Sequence, residues 1–272
     1  MITAANSGFR VRVDVTNPGQ FFACCGLFEL AARLSGKAAC STLAHFDDSG
    51  AFHLSNAPSF TECITGITKP EIIAVTPEDR PQTPLWIGAP FNLLLDWWRH
   101  ESRSTGKLKT WAGQMSVQGI ALDMRDAMTA TCVASSFESM SLLESPSETH
   151  ASEPFYFDAL RALNANRRDV GFSVDALKKG AVHLKTQCRP AVEFLCLVGL
   201  QRARPNLSVN ERGKERAFDY NTWSQPIPIE LLSAAVNGHL PSCSSRVYRF
   251  TNPSRAKDYR AFMPSALTEG AP

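Results

Sequence analysis

FRVRVDVTNPGQFFACCGLFELAARL, residues 9–34, sets two structural periods side by side. From Phe9 to Val15 apolar and charged residues alternate, the two-residue repeat of a strand with one face on a core. Pro18 and Gly19 then interrupt the chain, and Asn17 stands where a side-chain oxygen would accept the free N–H groups of a new helix. From Gln20 to Leu34 apolar side chains recur at helical spacing, with Glu29 and Arg33 four apart as a surface pair. The stretch predicts a strand feeding a helix that is largely buried against a sheet.

Working outward, strand-like runs at Cys40–Phe46 and Ala51–Leu54 flank the turn Asp47-Asp48-Ser49-Gly50 and predict a hairpin. Ser59–Ile67 reads as a short helix and Ile72–Val75 as a β-branched strand, so the first 76 or so residues run β-α-β-β-α-β, the order of a ferredoxin-like or RRM-like module. Pro84–Trp98 reads as one or two strands interrupted at Gly88–Pro90, and a helix is expected from about Trp111 to Met128. No Lys or Arg occurs between Asp126 and Asp158, and SPSETHASEP at 145–154 combines Ser, Pro and Glu; residues 131–157 are expected to form a flexible acidic excursion. Beyond it come a helix at Ala191–Ala203, a strand near Ala217–Trp223, a helix at Ile229–Val236 and a strand at Arg246–Thr251. The expected fold class is α+β: a ferredoxin-like module over 1–130 and a second, elaborated α+β half over 158–272, with no internal repeat relating them.

A chain of 272 residues, 44% hydrophobic and 20% charged, can bury one sizeable core or two smaller ones. Its longest apolar run, Phe21–Leu34, is broken by Glu29 and Arg33 and falls short of the roughly 20 residues that span a bilayer. The first residues carry no apolar segment behind a basic start, and a cytoplasmic protein without membrane contact is expected. The eight cysteines include no C-x-x-C pair and are expected to be reduced, buried thiols. Cys24 and Cys25 lie near a helix start, but their apolar neighbours favour packing over reactivity. The six histidines form no HExxH or HxH, and no nucleotide-binding glycine pattern is present, so neither metal nor cofactor is expected.

Net charge is only +2, and the distribution of the cations says more. Arg99, Arg103, Lys107, Lys109, Trp111 and Gln114 bring phosphate-seeking cations and aromatic faces within about twenty residues, the composition of a nucleic-acid contact. The competing reading makes Trp97, Trp98 and Trp111 core residues and the lysines an ordinary solvated face. A second basic stretch runs from Arg202 and Arg204 through Arg212, Lys214 and Arg216 to Tyr220 and Trp223, an arm over a nucleic-acid strand or else a plain surface loop. Arg246, Arg249, Arg255, Lys257 and Arg260 form a third set with the same two readings. A metal-independent ribonuclease needs only one or two proton-moving groups, which leaves His45, His53 and His100 as candidates.

Several segments, VDVTNPGQFFACCGLFELAARL, WIGAPFNLLLDWW, KLKTWAGQ, KKGAVHL, TWSQPIPIELLSAA and the terminal YRFTNPSRAKDYRAF, resemble the third Csb-type CRISPR-associated family, found with type I-U (also called I-G) systems. The resemblance covers most of the chain in the expected order, apart from about residues 131–166. It implies a non-catalytic subunit of a Cascade-like effector complex in antiviral defence, built on the ferredoxin-like modules of the RAMP superfamily and partnered by CRISPR RNA, target DNA and other subunits. Two alternatives stand beside it: an endoribonuclease that processes the CRISPR precursor with a histidine as acid or base, and a scaffold that touches only other subunits through the apolar helix 21–34.

Overall fold

A computed structural model describes residues 8–36, 41–75, 83–100, 108–111, 115–133, 137–149, 154–160, 186–209, 216–243, 246–256 and 259–268. Strand β1 (Gly8–Arg12) leads into helix α1 (Pro18–Leu34), followed by β2 (Leu43–Phe46), β3 (Ala51–Ser55), α2 (Phe60–Thr68) and β4 (Ile72–Ala74), the predicted β-α-β-β-α-β order. Asn17 caps α1 as predicted, its side-chain oxygen accepting from Gly19 N at 3.1 Å, and Pro18 occupies the first turn, where a missing N–H costs nothing. Ser59 and Glu62 close a reciprocal capping box on α2.

The chain continues through β5 (Leu85–Ile87), β6 (Leu93–Leu95), α3 (Val117–Cys132), β7 (Ser147–Thr149), β8 (Thr186–Cys188), α4 (Pro190–Gly199), β9 (Asn206–Val209), β10 (Arg216–Asn221), β11 (Ile227–Pro228), α5 (Leu232–Val236), β12 (Val247–Thr251), β13 (Ser254–Ala256), β14 (Tyr259–Arg260) and β15 (Ala266–Leu267). All pairings among these strands are antiparallel. One sheet has the order β1-β3-β2-β11, a second β15-β12-β10-β9 and a third β4-β5-β6; β7 pairs with β8 and β13 with β14. The protein is a mixed α+β structure. In the first sheet β3 lies between β1 and β2, while β4 pairs with β5, where Ile72, Ile73 and Ala74 meet Ile87, Trp86 and Leu85. This local pairing buries Ile72, Leu85 and Ile87 on one face.

Helix α1 is the axis of the molecule. Pro18 to Ala32 are all buried, because α1 is covered on several sides at once. Phe21 stacks on Phe46 of the first sheet (5.4 Å between centroids) and meets Tyr220 of the second at 4.3 Å, while Phe22 reaches Phe250 and Phe262. A helix enclosed in its own core cannot also be a docking surface, which removes the route by which the scaffold reading brought in other subunits.

Helix α4 crosses α1 at a pair of glycines. A Cβ on Gly26 would stand 2.9 Å from Gly199 N and collide with the Leu195 carbonyl; one on Gly199 would stand 2.8 Å from Gly26 N and collide with the Phe22 carbonyl. Only glycine on both sides lets the backbones approach this closely. Near the crossing, Glu29 is 2% exposed, so the predicted surface pair with Arg33 (2.7 Å) is instead built on a buried carboxylate whose cationic partners reach the surface. Arg202, just past α4, binds the same carboxylate, and Arg33 also donates to the Phe91 carbonyl at 2.8 Å.

One hydrophobic cluster runs from Val11 to Phe262, so residues expected in separate halves share a core. The described part of 131–157 sends four apolar side chains into the core: Leu142, Leu143, Phe155 and Phe157 are at most 1% exposed. A segment without cations is not thereby unfolded, because its apolar side chains still find a core. Asp158 ties this region to α1 and α4, accepting from Asn17 Nδ2 at 2.8 Å and Arg189 Nη1 at 2.9 Å, while the fully buried Glu193 carboxylate accepts from the amides of Phe157 and Asp158.

Candidate nucleic-acid interface

The residues marked in the sequence divide sharply. Trp111 is 2% exposed and packs edge-on against Trp97, Trp98 and Phe155 at 5.0–5.8 Å between ring centroids. Tyr220 is fully buried and donates from its hydroxyl to the Val15 carbonyl at 2.7 Å; Trp223, 1% exposed, donates from Nε1 to the Ala44 carbonyl at 2.8 Å. These rings are sealed inside the fold and offer no face to a base, as expected when large aromatic groups have a core to enter. Lys109 is half-buried with Nζ 5.3 Å from the Trp111 ring centroid, a cation–π contact. Arg99 is exposed on the turn at Trp97–His100, and Arg216 is exposed at the start of β10. Arg103, Lys107, Gln114, Arg212 and Lys214 lie outside the described residues. Of the other cations, Arg202 is committed to Glu29, and Arg249 is held by both Asp219 oxygens at 2.7 Å.

A different set of residues comes together on the first sheet. Phe9, Val11, Ala44, Phe46, Phe52 and Leu54 alternate onto the core face, leaving Arg10, Arg12, His45 and His53 on the opposite face. Register places Arg10 opposite His53 and His53 opposite His45, a row across three strands. The two imidazoles lie 4.8 Å apart between centroids with their planes 16° from parallel. Asp47 closes the row at the hairpin turn: its Oδ2 is 2.5 Å from His53 Nε2, and its Oδ1 accepts from Ser49 N, Ser49 Oγ and Ala51 N at 2.7–2.9 Å. Partial burial works against ionising Asp47, but these hydrogen bonds outweigh it and hold the carboxyl far below the usual carboxylate range. Burial and neighbouring His53 pull His45 below the ordinary imidazole range, against a smaller opposing pull from Asp47. His45 Nδ1 is buried and has no hydrogen-bond partner among the described residues.

No family model matches this chain, and no curated protein or solved structure does either. The arrangement therefore has to be read from its own chemistry. Arg10 makes no ion pair among the described residues, whereas Arg12 is tied to Glu144 at 3.1 Å. A guanidinium unpaired among the described residues, in line with two imidazoles, suits an anion, and an anion laid along the row would meet three nitrogen-bearing side chains in turn. Among the described residues no three His, Cys, Asp or Glu side chains form a group able to hold a metal ion. The seven described cysteines are free thiols; burial pushes Cys63 and Cys132 up to about 12 and the fully buried Cys24, Cys25 and Cys196 higher, which leaves them protonated and inert. No helix of the described residues is long and apolar enough to cross a membrane.

Sequence reasoning marked FRVRVDV and the hairpin separately and missed what they build together. The signal was available, since a hairpin folding about Asp48–Gly50 sets residue 45 opposite 53. The pairing of Arg10 with His53 joins residues 43 positions apart in the chain, which local pattern does not encode.

Proposed function

We propose that this chain is a subunit of a type I-U/I-G CRISPR effector, a Cascade-like complex in the cytoplasm, that contacts CRISPR RNA or target DNA while partner proteins carry out interference. The observation that carries the nucleic-acid reading is the outward face of β1-β3-β2, with Arg10, His53 and His45 in one row and Arg10 unpaired among the described residues. Exposed Arg216, at the start of β10, adds a cation to this set. The β1-β3-β2 order beneath α1 supports a RAMP-type, ferredoxin-like ancestry for the first half. A place for neighbouring subunits is offered by the third sheet, where Ile73 (45% exposed) and Leu94 (39%) flank the half-buried Trp86 in one apolar row.

The test is co-purification of tagged protein with its CRISPR neighbours at modest salt, followed by sequencing of bound RNA, since phosphate-dominated binding weakens steeply as salt rises. The expected result is a defined complex carrying repeat-derived RNA, with RNA recovery reduced by Arg10→Glu while the protein partners are retained. A clean monomer with neither RNA nor partners overturns the reading.

A second reading, the metal-independent endoribonuclease, is favoured by one observation: two imidazoles face each other on an open sheet face with a carboxylate behind one of them. Labelled repeat RNA incubated with the protein in EDTA decides it, and the absence of cleavage at several protein concentrations removes it.

A further inference from the structure

We propose that the Arg10–His53–His45 row is a phosphodiester-binding site that takes up a proton at His45 when its ligand binds. This rests on the reading that the chain contacts nucleic acid, and adds which residues hold the backbone and what else binds with it. The geometry supplies the reason. Two imidazoles 4.8 Å apart and nearly parallel repel each other when both are charged, so the empty site disfavours a second proton. Partial burial of His45 acts in the same direction. A phosphate lying over the row reverses the balance, because each added positive charge then has an anion to meet.

The charged groups around the pair are assignable. Strand β1 brings Arg10 and Arg12, the latter paired with Glu144; β3 brings His53, and the turn brings Asp47 and the exposed Asp48. The turn at Ser139–Ser141 beside β1 is flanked by Glu138 and Glu144, and β11, an Ile-Pro pair, brings no charge. Asp47 is fixed by Ser49 and Ala51 and engaged with His53 Nε2, so it orients that ring. His45 Nδ1 is buried and has no partner among the described residues, which leaves Nε2 to exchange the proton with solvent and ligand. Neighbouring strands stand about 4.8 Å apart, so the row is roughly 10 Å long and lies across the strands. The shared ligand chemistry is the phosphodiester, whether of RNA or of DNA.

A group with higher proton affinity in the complex than in the free protein strengthens binding as pH falls, here through and below the ordinary imidazole value of about 6.5. The experiment is fluorescence anisotropy of the full-length protein with a labelled uridine oligomer and, in parallel, the matching deoxyuridine oligomer, at fixed low salt. Between about pH 8 and about pH 5.5, Kd is expected to fall about tenfold. His45→Gln is expected to flatten the slope, while Arg10→Glu weakens binding at every pH and leaves the slope in place. Equal behaviour of the two oligomers assigns the site to the backbone, and preference for one names its source, both with the proposal intact. Binding that does not vary with pH, or a slope that survives in a folded His45→Gln protein, overturns the proposal and leaves the nucleic-acid reading standing. Cleavage of the RNA oligomer alone overturns it in favour of an acid–base pair. Failure of both oligomers to bind at any pH overturns the nucleic-acid reading and this proposal with it.

Discussion

Glu29 shows how one side chain can hold three parts of the chain. Its carboxylate binds Arg33 on its own helix and Arg202 past α4, and Arg33 in turn reaches the backbone at Phe91 and Asn92. Burial opposes ionisation of Glu29, but the hydrogen bonds and charges of Arg202 and Arg33 prevail and its proton affinity is lowered. A carboxylate depressed in the folded state contributes stability above its unfolded value of about 4.3 and loses it as pH falls through the folded one. Wild-type urea midpoints are therefore expected to drop below about pH 4 more steeply than those of Glu29→Gln. At neutral pH Glu29→Ala strands two guanidinium groups and is expected to cost about 2–3 kcal/mol by urea denaturation, less than for a fully buried pair because Arg33 and Arg202 keep 31% and 36% of their side chains in solvent. Isolated residues also explain why aromatic content misleads: a tryptophan beside lysines reads as a stacking platform, yet Trp111 gains more by burying its ring against Trp97 and Trp98.

Elements fit together through contacts that single residues permit or forbid. The crossing of α1 and α4 depends on Gly26 and Gly199 facing each other, an arrangement invisible in either helix alone because an isolated glycine within a helix reads only as a weak point. Gly26→Ala and Gly199→Ala are each expected to destabilise the protein by about 3 kcal/mol, despite the better helix propensity of alanine, because each methyl meets backbone that cannot move aside. Thermal melts of the two variants check this, and an unchanged or raised Tm would show that the helices separate at little cost. The same scale accounts for the hairpin: Asp47 satisfies the turn amides, Gly50 adopts φ +77, and the strands on either side then pair His45 with His53.

Across the whole molecule the two halves interlock. Strand β11 from the second half pairs with β2 of the first sheet, and α4 covers α1. Residues 1–150 expressed alone lack both, so they are expected to show no cooperative urea transition by circular dichroism, whereas a sharp one would establish an independent first domain. Sequence alone determined the α+β class, the order of the first six elements, the cap at Asn17 and the hairpin turn at Asp47–Gly50, because each depends on partners a few residues apart at fixed spacing. It did not determine that β4 joins β5 and β6, that Arg202 turns inward to Glu29, that Phe155 and Phe157 enter the core, or that Arg10, His53 and His45 form a row. Those outcomes belong to the tertiary structure, since long-range partners are selected by the total area buried and the polar groups satisfied over the whole chain, and no window of sequence contains that sum.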